Sequence, residues 1–87
     1  MGRIEVRKPT DEQVAEAKQW PIWTCDVSTF DWHYDEAETC LILAGQVTVS
    51  AGDQKARFGP GDWVVFPAGM DCVWQVAQPV RKHYKLG

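Results

Sequence analysis

From residue 22 to the C-terminal end, apolar and polar residues alternate over short stretches separated by turn formers. That period of two is the mark of half-buried strands. The pattern predicts strands over residues 22–27, 28–33, 39–44, 46–50, 55–58, 63–66, 72–76 and 80–86, with Ala51-Gly52-Asp53-Gln54 as a hairpin turn. Residues 39–44 are apolar almost throughout, whereas 46–50 alternate cleanly. Gly59-Pro60-Gly61-Asp62 and Pro67-Ala68-Gly69 mark tight corners, because Gly permits φ > 0 and Pro fixes φ near −65°. Ahead of this region, residues 3–8 alternate as an edge strand or arm would. Thr10 and Gln13 have the spacing of a capping box, so a short helix is predicted over residues 11–19. It ends at Trp20-Pro21, because the residue before Pro is driven out of the α region.

Turns every few residues with no helical period beyond the N-terminal helix predict an all-β jelly roll or barrel, a single domain over residues 1–87. A chain of 87 residues has little interior, and five Trp, three Phe and two Tyr supply its core. Five Trp exceed what so small an interior hides easily, so a homodimer is expected. A net charge of −3 does not suit nucleic acid. No run reaches the roughly 18 apolar residues of a membrane span, and the start lacks a signal-peptide core. The odd cysteine count (Cys25, Cys40, Cys72), with no Cys-x-x-Cys pair, predicts reduced thiols, a cytoplasmic location and no structural zinc site.

Two segments carry a family pattern. Phe30 to Gly45 resembles the first cupin motif, in which two spaced histidines and a glutamate precede a closing glycine. Gly61, Pro67 and Gly69 match the second motif, Gly-x5-Pro-x-Gly, which runs on to a third histidine. With Trp20-Pro21-Ile22-Trp23, Glu38-Thr39-Cys40 and Val80-Arg81-Lys82-His83-Tyr84, nearly the whole chain resembles the small single-domain cupins related to the cupin domain of (S)-ureidoglycine aminohydrolase. The resemblance implies an RmlC-like jelly-roll β-barrel and a metal site built from three histidines and a glutamate. The glutamate falls on Glu38 and the third histidine on Cys72. The first two histidines fall on Trp32 and Tyr34 in one register, and on Asp31 and His33 in the other. Neither restores the histidine pair.

Trp cannot ligate a metal, and loss of most ligands removes most of the affinity. Because side chains alternate across a strand, Trp32 and Tyr34 share a face and His33 takes the opposite one. Aromatic walls around one carboxylate are typical of a small-molecule site. The expectation is therefore a pocket lined by Trp32, Tyr34, Glu38, Cys40, Cys72 and Trp74, binding a small polar or nitrogenous metabolite without a tightly held metal. One alternative is a metal-dependent enzyme with Zn, Fe, Mn or Ni held by His33, Glu38 and Cys72. Another is a non-catalytic dimeric interaction protein whose barrel is filled by its own rings. At the C-terminal end, parity places Lys82, Tyr84 and Leu86 on one face and Arg81, His83 and Lys85 on the other, with a structural or interface role for His83.

Overall fold

The computed structural model describes residues 2–87, and its elements follow the alternation in the chain. Strand β1 (Glu5–Arg7) leads into helix α1 (Asp11–Ala17), then β2 (Ile22–Cys25) and β3 (Ser28–His33). Strand β4 (Glu38–Ala51), β5 (Gln54–Phe58), β6 (Trp63–Phe66) and β7 (Asp71–Leu86) complete the chain. The capping box forms as expected. Gln13 N–H donates to Thr10 Oγ1, and Thr10 N–H donates to the Gln13 side chain at 3.0 Å.

Two pairs of expected strands are each one long strand. Residues 39–50 run unbroken in β4, and residues 71–86 run unbroken in β7 through Gln78-Pro79. These two strands pair antiparallel from Glu38↔Leu86 to Ser50↔Val73 and form the spine of the barrel. The first part of β4 pairs with β6 and the last part of β7 pairs with β2, giving one wall in the order β1-β6-β4-β7-β2. Their other halves take β5 and β3, which makes the second wall. Pro79 is tolerated because the ladder is already interrupted there by register shifts between Ile42 and Val47. Gly45 sits at this bend with φ +102°, and a Cβ on it would lie 2.6 Å from Pro79 O and 2.7 Å from Val80 Cα. Only glycine fits so close a crossing.

Parity then sorts the side chains of β4. Cys40 and Ile42 enter the main core with Phe58, Phe66, Met70 and Trp74. Leu41 turns the other way, into a smaller cluster with Trp63 and Ala17 of the helix. The sheet is thus covered on both faces here, which is why residues 40–42 are apolar without alternation. The same outward face carries His83, whose Nδ1–H donates to Trp20 O at 3.0 Å. His83 therefore ties the helix exit to β7, a structural role. No helix among the described residues is long and apolar enough to cross a membrane.

Candidate functional site

Both glycine corners serve to hold the interior in place. The Gly59–Asp62 turn is tied to β4 by Gly61 N–H donating to Ile42 O at 2.8 Å and Ile42 N–H donating to Asp62 O at 3.0 Å. The Pro67-Ala68-Gly69 corner grips Tyr34. Gly69 N–H donates to Tyr34 O at 2.6 Å, and Tyr34 N–H donates to Met70 O at 2.9 Å. Tyr34 is thereby fixed just past the end of β3, with its ring stacked on Phe66 at 4.7 Å between centroids. Its hydroxyl oxygen accepts from Trp74 Nε1–H at 3.1 Å. Burial, and after it the charge of Glu38, pushes the Tyr34 phenol well above its usual range, so it stays a neutral donor.

These fixed rings surround a cavity of about 280 Å³ between the two walls. Trp23, Phe30, Trp74 and Tyr84 form its sides, with Tyr34, Trp32 and Leu86 completing the lining. Trp32 is 51% exposed and stands at the mouth, edge-on to Phe30 and Tyr34. The barrel is therefore not filled by its own rings.

Two charged side chains lie in this aromatic enclosure. Glu38 and Lys82 are both buried, and Lys82 Nζ donates to Glu38 Oε2 at 2.5 Å. The ammonium also lies 4.8 Å from the centre of the Trp23 ring and 4.6 Å from that of Trp74. A cation over two indole faces gains electrostatically from both, more so when desolvated. Lys82 pairs across from Trp23 on β2 and Ile42 on β4, on the face that Ile42 shares with Cys40 and Glu38, so its long side chain runs along that face to Glu38. Cys40 donates its thiol proton to the same Glu38 oxygen at 2.8 Å. Burial raises the Cys40 thiol far above its usual range against the opposing pull of Lys82, so this donor does not ionise. Both bonds fall on Oε2. Among the described residues no buried side-chain oxygen lacks a partner, so Oε1, which takes no bond from the protein, opens to the cavity. The site thus offers an acceptor at Glu38 Oε1 and donors at Lys82 Nζ and Tyr34 Oη.

Four of the six residues expected from sequence line this cavity: Trp32, Tyr34, Glu38 and Trp74. Cys40 lies behind Glu38 as its hydrogen-bond donor, fully buried and off the wall. Cys72 pairs with Trp32 across β3 and β7 and is buried in the main core beside Trp74, off the cavity wall and at the inner edge of a shallow groove that His33 and Asp71 also line. Its thiol is pushed up to about 11, first by burial and then by the charge of Asp71. His33 takes the face opposite Trp32 and Tyr34, as parity requires, and in the fold that face is the outer one. Its Nδ1 lies 2.7 Å from Asp71 Oδ1 and its Nε2 3.4 Å from Asp35 Oδ1. The trio His33, Glu38 and Cys72 is therefore not assembled, and no group of three ligating side chains converges among the described residues. Of the two registers weighed for the first motif, the one that turns residues 32 and 34 inward is realised. Reading by type missed Lys82, Trp23 and Tyr84, although the shared parity of Lys82, Tyr84 and Leu86 placed a lysine on an otherwise apolar face.

An antiparallel sheet of this topology folded into two walls, with its aromatic cavity and its glutamate on the first long strand, defines a cupin jelly roll. The EutQ-like cupin domain family matches residues 12–84, and the chain belongs to that family. It is similar to a DUF861 family protein from Thermotoga maritima, with 48% identity over 98% of this chain and 100% of that one and a TM-score of 0.93. The EutQ protein of Clostridium difficile shares the fold at 20% identity, covering 75% of this chain and 52% of the other, with a TM-score of 0.69. A putative ethanolamine utilization protein Q from Salmonella typhimurium does so at 18% identity, over 95% of this chain and 68% of that one, with a TM-score of 0.68. No curated protein matches the chain. The metal set that cupins of the histidine type carry does not fit the residues present. Glu38 is engaged by a lysine ammonium and a thiol proton, and rings occupy the positions of two imidazoles.

Proposed function

We propose that the barrel binds a small, polar, nitrogen-bearing metabolite in the aromatic cavity, with no tightly held metal. The observation that carries this reading is the Glu38–Lys82 pair set among aromatic walls. Glu38 and Lys82 cancel in charge and Tyr34 stays neutral, so the cavity suits a neutral or zwitterionic guest. Its volume lies at the small end of ligand pockets, which favours a compact molecule. Rings on several sides suit a planar group, and the acceptor at Glu38 beside donors at Tyr34 and Lys82 suits an amide-like or ureido edge. The resemblance to the cupin domain of (S)-ureidoglycine aminohydrolase points to the same ligand class.

A thermal-shift screen of small ureides, amides and amino acids tests this, because a ligand that binds only the native state raises the melting temperature. A hit is expected to bind the wild type and to weaken on Tyr34→Phe, which keeps the stacking and removes the donor. No shift from any member at 100-fold excess over a millimolar dissociation constant, worth about 2.7 kcal/mol if binding occurred, would sink the proposal.

A further inference from the structure

We infer that Glu38, Trp23 and Trp74 form a cation site that the chain fills with its own Lys82, so that a tethered ammonium takes the place of an ion drawn from solution. Three features of the geometry support this. The Lys82 ammonium is in contact with Glu38 Oε2 at 2.5 Å, and both side chains are more than nine-tenths buried. It also lies over two indole faces at 4.6 and 4.8 Å, the arrangement that receives an organic cation. The carboxylate it holds is the one that the cupin pattern assigns to the metal, and the ligands that would complete a metal shell are replaced by Trp32, Tyr34 and Cys72. A buried carboxylate without a cation is costly, so loss of the histidines leaves a charge that something must balance. Lys82 balances it from the neighbouring strand at no cost in free-ion binding.

The consequence is chemical. Emptied of the lysine side chain, the site should accept an alkylammonium ion of matching length from solution. Lys82→Ala removes Cγ, Cδ, Cε and Nζ, which together have the outline of propylammonium. This inference does not depend on any metabolite entering the cavity, so its failure and the failure of the ligand proposal can be told apart.

The test is the melting temperature of Lys82→Ala with propylammonium chloride, against sodium chloride and 1-propanol as controls. The variant is expected to melt on the order of 10 °C or more below the wild type, as removal of one partner of a buried pair requires. Propylammonium at tenfold excess over its dissociation constant should restore roughly 6–10 °C in a saturable way. Neither control should do so, and the wild type and the Glu38→Gln/Lys82→Ala double variant should not respond. If Lys82→Ala does not fold alone, refolding with and without propylammonium reads the same question, and recovery only with the amine supports the site. Equal rescue by 1-propanol, no rescue at all, or stoichiometric divalent metal on Glu38 in wild-type protein purified without chelator would overturn it.

Discussion

Lys82 and Glu38 start 44 residues apart in the chain and end 2.5 Å apart inside the barrel. The Cys40 thiol and the Trp23 and Trp74 rings that flank them carry no charge, so each is the other's main source of charge compensation. Breaking such a pair differs in kind from replacing it.

Glu38→Gln and Lys82→Met should therefore each destabilise the protein by roughly 3–5 kcal/mol in urea unfolding. The double variant should lose much less than the sum, because no buried charge is left alone. Additive losses in the double-mutant cycle would show that the two groups do not interact.

Gly45 should not tolerate alanine. Its φ of +102° and the 2.6 Å approach to Pro79 O combine backbone strain with a clash against main chain. Gly45→Ala is expected to cost at least about 2 kcal/mol, and Gly52→Ala, at φ +59° with open space around it, about 1 kcal/mol. Equal losses would mean that the strand crossing is looser than described.

Trp74 and Trp32 should separate stability from binding. Trp74 is 2% exposed and packs against Phe30, Phe58 and Phe66, so Trp74→Ala should cost roughly 3–5 kcal/mol. Trp32 stands half in solvent at the mouth, and Trp32→Ala should change stability by about 1 kcal/mol or less. If the proposed ligand stacks there, its affinity should fall in the Trp32 variant, as read by calorimetry.

Stability should fall on the alkaline side. The thiols of Cys40 and Cys72 and the phenol of Tyr34 all hold their protons more tightly in the fold than their ordinary values, Cys72 up to about 11. Above the unperturbed thiol value of 9.0, the unfolded chain sheds protons that the folded chain keeps, so unfolding gains and ΔG declines with rising pH. The Cys72 contribution is complete below pH 9 and is lost between about 9 and 11. Urea midpoints from pH 8 to 11 check this, and Cys72→Ala should flatten part of the slope.

Local chemistry in the sequence determined a good deal of this protein. Alternation located the strands, Thr10 and Gln13 located the helix start, and the two Gly-Pro-rich corners located the turns. Strand parity put Trp32 and Tyr34 on one face and His33 on the other, since successive side chains must point to opposite sides, and the fold decided which face is the inner one. The motif residues pointed to a cupin barrel. Folding in three dimensions decided what lies across from what. Turn formers at Gly45 and Pro79 look like strand ends along the chain, yet they mark one bend shared by two continuous strands, because each breaks the ladder only where the other does. Cys40 and Cys72 have the right parity for an inner wall and both are buried, but neighbouring side chains put one behind Glu38 and the other in the core packing off the cavity wall. Lys82 reads as a surface residue by type. Its partner lies on another strand and its indole neighbours on two, and side-chain period carries no information about which residues a closing sheet brings face to face.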